Sequence, residues 1–379
     1  MKLLHTSDWH LGMMAKGGLS YAEDQTYVID QIINIAKTGK VDGIIIAGDV
    51  FDKSVASQEA LRLYDDIITN MCFSLNIPIF IVAGNHDGAG RLSQCNRLLQ
   101  KSGLYIAGSL LSEPQKFNFG DVDVFLLPWI STDKVRTIYP DSADEITSLE
   151  SAYKVVLDKY RGTFTEGHKN VLVAHAYVTG GETSTSDTSA VVGTAARVDK
   201  SVFEGFDYVA LGHLHGPQDI SDTIRYSGTP MAYSFGTEEK QNKSVTIYDS
   251  VTSEHKVIEL TPLRKRTTIK DTLENILKCG YDQDVVDGYV RLEVTDTYVG
   301  YETAASFVER YKNFLEYSCP SIASEKEGIT LTIDDLNEVK KDPYAVFEAY
   351  CKDVLNIEPS DSFIELFNSA LNETAKEEE

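Results

Sequence analysis

Five short apolar runs each stop on side chains able to bind a cation, and this repetition restricts the fold more than any other feature of the chain. "LLHTSDWHLG" ends its run at Asp8 and His10, and "DGIIIAGD" ends at Asp49. "IPIFIVAGNHD" ends at Asn85 and His86, "VLVAHA" at His175, and "VALGHLH" at His213 and His215. The runs do not alternate apolar with polar residues, so they read as strands covered on both faces. In an open α/β sheet, residues just beyond the carboxyl ends of the strands share one crevice. Asp8 and His10 are two positions apart, and in an extended strand such residues point the same way, which turns Trp9 into the packing.

Helical patterns separate the runs. "YAEDQTYVIDQIINIAKTG" sets Val28, Ile32, Ile35 and Ala36 on one face, and "SQEALRLYDDIITNMCFSLN" does so with Leu61, Tyr64, Ile68 and Met71. A helix is also expected around residues 91–101, and strands are expected near "LYIAG", "KFNFGDVDVFLLPW", "TIRYSGTP" and "KSVTIYD…HKVIEL". The fold class is therefore α/β, a layered β-sandwich flanked by helices over residues 1–262. "TPLRKRTTIKD" (261–271) reads as a linker into a small α+β domain at 263–335. A C-terminal helical segment at 336–379 follows, with Phe347, Tyr350, Cys351 and Val354 on one stripe and Phe363, Phe367 and Leu371 on another. These stripes either dock on a partner or fold back on the small domain.

Several function classes lose ground on bulk properties. The formal charge is −23, so no broad basic footprint exists for a polyanion, and positive charge must come from local residues, bound metal or a partner. Arg91, Arg97, Lys101, Arg264, Lys265 and Arg266 are the local candidates. The five cysteines are scattered without C-x-x-C spacing, as expected of reduced thiols in a cytoplasm. "MKLLHTSDWH" does not have the form of a secretory signal, and no apolar run has the length of a membrane span.

Taken singly, each motif has a bland reading: a D-x-H triplet arises by chance, and Gly-Asp after a strand is a common turn. Together they bring two aspartates, an asparagine and five of the eight histidines to strand ends. An oxygen and imidazole set without thiolate suits Mn²⁺, Fe or Zn²⁺ outside a structural zinc site. Two such ions, about 3.5–4 Å apart, clamp an in-line phosphoryl displacement.

The stretches "LHTSDWHLG", "GDVFD", "AGNHD", "VAHAYV", "FDYVALGHLHGPQ" and "YSGTPMAYSFGTEEK" resemble the calcineurin-like metallophosphoesterase superfamily, and within it the DNA nuclease subunits that work with an SMC-like ATPase. This resemblance spans about residues 1–240. It implies two divalent ions, Mn²⁺ first among them. Asp8, His10, Asp49 and His215 would hold one ion; Asp49, Asn85, His175 and His213 would hold the other, with Asp49 bridging. His86 would be the catalytic residue at the scissile phosphate. Asp87 would orient a neighbour and Asp52 would follow the bridging motif. The same resemblance implies 3′→5′ exonuclease action on duplex DNA and endonuclease action on single strands and hairpins, in end processing, repair, recombination and replication. It also implies a capping role for the small domain and a homodimer within a heterotetramer. The ATPase would dock on the C-terminal helices through Phe347, Tyr350, Val354, Phe363 and Phe367. Two rivals share the fold: a small-molecule phosphomonoesterase or cyclic-nucleotide phosphodiesterase, which needs neither a small domain nor a helical tail, and a scaffold that has lost activity, which would have lost ligands.

Overall fold

The computed structural model describes residues 1–184, 186–187, 197–320 and 330–332, with Tyr344, Phe347, Ile364 and Phe367. Tyr350, Val354 and Phe363 lie outside the described residues. The chain separates into two compact units, the first Met1–Thr268 and the second opening at Ile269.

The first unit is built on two six-stranded sheets. In chain order the strands of one are β1 (Lys2–Thr6), β2 (Gly43–Ile46), β3 (Ile79–Val82), β4 (Leu104–Ala107), β13 (Ser244–Asp249) and β14 (Glu254–Glu259). The other holds β5 (Lys116–Phe119), β6 (Val122–Leu127), β7 (Lys169–His175), β10 (Tyr208–Gly212), β11 (Gln218–Asp219) and β12 (Ile224–Tyr226). A short parallel ribbon joins β8 (Tyr177–Val178) to β9 (Arg197–Val198). The sheet orders are β14-β13-β1-β2-β3-β4 and β11-β12-β10-β7-β6-β5. β1 to β4 run parallel, as do β6, β7, β10 and β12, so the carboxyl ends within each set lie along one edge of its sheet.

The apolar runs are explained by burial on both faces. Ile45, Ala47, Phe80 and Val82 from one sheet meet Val124, Leu126, Val171, Val173 and Ala210 from the other in a shared layer. On the outer side of the second sheet, Phe125, Leu172, Val209 and Leu211 pack with Tyr153, Val156, Leu157 and Tyr160 of the helix Leu149–Arg161. That helix starts at a Ser148 capping box with Ser151. The helix Ala22–Gly39 buries Val28, Ile29, Ile32, Ile33 and Ala36, and Ile35 is only half-buried.

Three local expectations change. The helix Gln58–Leu75 buries Ala60, Ile67, Ile68 and Met71, so its stripe is rotated and Leu61 is 48% exposed. The 91–101 region is two single turns, Ala89–Leu92 and Asn96–Leu99, broken by Cys95 at φ 61°. The expected linker contains strand β15 (Arg266–Asp271). Its Thr-Thr-Ile stretch suits a pleated chain, and Ile269 joins the second unit's core.

The second unit carries the sheet β15-β16-β17-β18, with β16 at Tyr289–Val294, β17 at Asn313–Ser318 and β18 at Thr330–Thr332. Ile276, Val290, Leu292, Phe307, Tyr311 and Phe314 make a core of its own. Further along the chain, the rings of Phe347 and Phe367 stack at 4.2 Å and 11°. No helix among the described residues is long and apolar enough to cross a membrane.

Ile45, fully buried between the two sheets, sets a packing test. Ile45→Ala lowers the unfolding free energy by about 2–5 kcal/mol in chemical denaturation. Leu61→Ala, on the exposed side of its helix, costs under about 0.5 kcal/mol.

Candidate metal centre

β1 ends at Thr6, and the next residues do not continue as a pleated strand. Asp8 and His10 have φ of 52° and 46°, and Asp49, beyond β2, has φ of 48°. The loops after β1 and β2 run side by side: Asp8 N donates to Gly48 O at 3.0 Å, His10 N to Asp49 O at 3.0 Å and Leu11 N to Val50 O at 2.8 Å. Asp8 and His10 therefore share a side through two left-handed residues held by a neighbouring loop, not through strand pleat as the sequence suggested. Trp9 is buried as expected, and its Nε1 donates to Thr6 Oγ1. His213 also has positive φ, 110°, so four of the site's residues sit in backbone regions unfavourable to a side chain.

Two glycines make room. A Cβ on Gly48 would lie 2.3 Å from His175 Nδ1, and one on Gly84 would lie 2.1 Å from Asp49 Oδ1. Gly48 also has φ of 91°, so it meets both a steric and a conformational demand.

The structure brings all seven sequence-predicted ligands into one cluster. Donor atoms of Asp8, His10 and His215 lie within 4.8 Å of one another, as do those of Asp49, His175 and His213. His10 Nε2 and His215 Nε2 are 3.2 Å apart. Asn85 Oδ1 lies 3.0 Å from His175 Nε2 and 2.9 Å from His213 Nδ1. Asp49 stands between the groups, with Oδ2 3.3 Å from His175 Nε2 and 4.0 Å from His10 Nε2. His175 Nδ1 donates to Ala47 O at 2.9 Å, which leaves Nε2 to face the cluster. Asp8 accepts the His213 N–H at both oxygens.

His86 stands at the rim, half-buried. Its Nδ1 donates to Asp52 O at 2.8 Å, its backbone N–H donates to Asp49 Oδ1 at 2.9 Å, and its ring meets that of His10 edge-on at 5.0 Å. The carboxylate of Asp52 lies with the ring nitrogens of His10 and His86 in a third overlapping group. Asp87 is buried and ties two loops together, accepting from Val50 N, Phe51 N and Gly84 N at 3.2, 2.9 and 2.9 Å. His5, His168 and His255 sit elsewhere, paired with Tyr208, Asp123 and Asp219.

These residues fit divalent cations. Asp8 and Asp49 are buried, and among the described residues no lysine or arginine pairs with either. His10 Nδ1 is buried without a hydrogen-bond partner among the described residues. Burial pushes His10 and His213 down to about 3, which keeps them neutral, whereas Asp49, against burial, holds His175 up at about 9, so that His175 must give up a proton to ligate. Burial pushes Asp8 up to about 6, and the charges of His175 and His215 offset it only in part. For Asp49, burial pulls the same way, but the charge and hydrogen bond of His175 and the other imidazoles beside it together outweigh it and hold the carboxyl below its ordinary range.

Four features escaped sequence reasoning. Gln25 Nε2 donates to His10 O at 2.8 Å, and Tyr233 OH donates to Trp9 O at 2.6 Å. Trp129 stacks on His213 at 5.3 Å, and a buried Glu238–Lys243 pair lies behind His215. Trp129 directly follows an apolar run, "VFLLPW", so attention to every strand end would have found it; Gln25 had no such signal. Two candidate phosphate contacts are engaged in other work: Arg264 pairs with Asp24 and Glu23, and Arg266 donates to Tyr21 OH.

Residues 1–217 match the family model described as calcineurin-like phosphoesterase. The SbcD component of the SbcCD nuclease from Staphylococcus saprophyticus subsp. saprophyticus is 34% identical over 281 residues, 73% of this chain and 74% of that one. The crystal structure of TT1561 from Thermus thermophilus aligns at a TM-score of 0.40 and 11% identity, over 68% of this chain and 98% of that one. A dimetal phosphatase from Danio rerio, LOC 393393, aligns at 0.40 and 11%, over 69% and 99%.

Gly84→Ala forces the Asp49 carboxylate aside, so Mn²⁺ affinity falls by about 10–100-fold in titration calorimetry. Unchanged affinity would show that the position of Asp49 does not hold the ion.

Proposed function

The chain belongs to the calcineurin-like phosphoesterase family and, within it, to the SbcD-type nuclease subunits, and from that premise we propose that it is a two-metal DNA phosphodiesterase. It cuts duplex ends 3′→5′ and single strands or hairpins internally, in DNA repair and recombination in the cytoplasm. The observation that carries this reading is the meeting of six oxygen- and nitrogen-bearing side chains around Asp49, with one further imidazole, His86, at the rim.

In this reading Asp8, His10, Asp49 and His215 hold one ion, and Asp49, Asn85, His175 and His213 hold the second. Two divalent ions, Mn²⁺ by preference, supply Lewis-acid polarisation of a phosphate and lower the pKa of a water. His86 supports a separate role. Its Nδ1 proton is held by the Asp52 carbonyl, so Nε2 is the atom that takes up a second proton and, from the imidazolium, gives it to the leaving oxygen. Asp87 holds the loops that carry Asp49 and Asn85 in register, and the Asp52 carboxylate lies beside the His86 ring.

Net charge works against tight DNA binding by the isolated chain. An SbcC-like SMC-family ATPase would supply most phosphate contacts and control access, with a homodimer of this chain inside a heterotetramer. The stacking of Phe347 on Phe367 supports docking by a helix pair acting as one unit. The second unit, from Ile269, is assigned the capping role.

His86→Ala leaves metal stoichiometry unchanged and lowers cleavage of an end-labelled duplex by about two orders of magnitude or more. The same assay run beside nitrophenyl phosphate mono- and diesters separates the readings. Monoester turnover without DNA cleavage, with and without the ATPase, would favour a small-molecule phosphatase.

A further inference from the structure

One of the donors, His215, is held at its backbone and at ring Nδ1 by groups with no part in the ligand set. Its backbone N–H donates to Asp187 Oδ1 at 3.1 Å, and its carbonyl accepts from Lys243 Nζ at 2.9 Å. Its ring Nδ1 lies 2.6 Å from Ser186 Oγ and 3.6 Å from both Asp187 Oδ1 and Glu238 Oε1. Ser186 Oγ in turn donates to Glu238 Oε1. Glu238 is fully buried and also accepts from Lys243 Nζ at 3.0 Å, Tyr233 N at 3.0 Å and Ser234 Oγ at 2.7 Å.

We propose that Ser186 and Glu238 form a positioning relay that fixes the tautomer and tilt of His215, and so sets the affinity of one of the two metal positions. This rests on the metal-centre reading above. Two acceptors in series pull the ring proton onto Nδ1: the hydroxyl oxygen of Ser186, then the carboxylate that takes the hydroxyl's own hydrogen. The Nε2 lone pair then points toward His10 Nε2 and the cluster. Lys243 belongs to the device because it neutralises Glu238 and grips the carbonyl of the same histidine.

A purely structural role for Ser186 does not account for this arrangement. Glu238 is already satisfied by Lys243, Tyr233 and Ser234 without it. Ser186 comes from a segment 52 positions earlier in the chain, and it is only partly buried. Asp187 anchors that segment by accepting from both Ser184 N and His215 N, which delivers the hydroxyl to Nδ1.

The test is calorimetric titration of the metal-free full chain with Mn²⁺, alongside visible spectra of the Co²⁺-loaded protein. Ser186→Ala weakens one of two binding events by about 10–100-fold, leaves the other unchanged and alters the Co²⁺ spectrum. Its metal-free melting temperature stays within about 2 °C of the parent. Ser186→Thr keeps a hydroxyl and restores the affinity. Glu238→Gln shows the same selective loss if it folds; it leaves Lys243 buried without its partner, so the Ser186 pair carries the test. If the parent binds two ions and Ser186→Ala binds both equally well, the relay is wrong and the metal centre stands. Equal loss at both positions with a lowered metal-free melting temperature would also overturn it, as a general packing effect. If the parent binds no ion, the metal-centre reading and the relay fall together.

Discussion

Buried negative charge that no lysine or arginine among the described residues meets is the constraint around which this molecule is arranged. Asp8 and Asp49 lie 0% and 2% exposed beneath a shell of imidazoles. Removing a carboxylate from water costs several kcal/mol unless a cation or several donors repay it. Here the chain supplies backbone N–H groups from His213 and His86 and the imidazole of His175. Divalent ions would complete the balance, and any ion that binds only the folded state also stabilises it by mass action.

The same constraint explains the backbone. Asp8, His10, Asp49 and His213 adopt positive φ, at a cost of order 1–3 kcal/mol each for residues outside glycine. Such conformations persist only where the surroundings over-determine them. The paired loops after β1 and β2, the Asp87 carboxylate beneath three backbone N–H groups and the glycines at 48 and 84 do this here. Behind them two parallel strand sets share one apolar layer.

Much of this was legible in the residues. A strand buried on both faces writes itself as an uninterrupted apolar run, and a ligand at its end stands out by contrast; Asp49 after "GIIIAG" is the clearest case. Amphipathic stripes were less reliable. Leu61 fits a helical stripe with Ile68 and Met71 yet faces outward, because tertiary contact selects Ala60 and Ile67 instead. The break at Cys95 and the strand hidden in the basic stretch before Ile269 depend on what lies across from them. Glu238 stood in view within "GTEEK", one of two adjacent glutamates, with nothing to tell the buried one from its neighbour.

Strand ends, glycine positions and the chemistry of each donor are local properties, carried by residues adjacent along the chain. They determine that seven donors finish apolar strands, and that these donors carry oxygen and nitrogen but no sulfur. Which donor meets which is another matter. The 3.2 Å approach of His10 to His215, the station of Asp49 between two imidazole groups and the reach of Ser186 to His215 join segments up to 205 positions apart. Those distances follow from sheet order and the packing of one sheet on the other. Contacts of that range are set by the whole fold at once, so no window of sequence contains them.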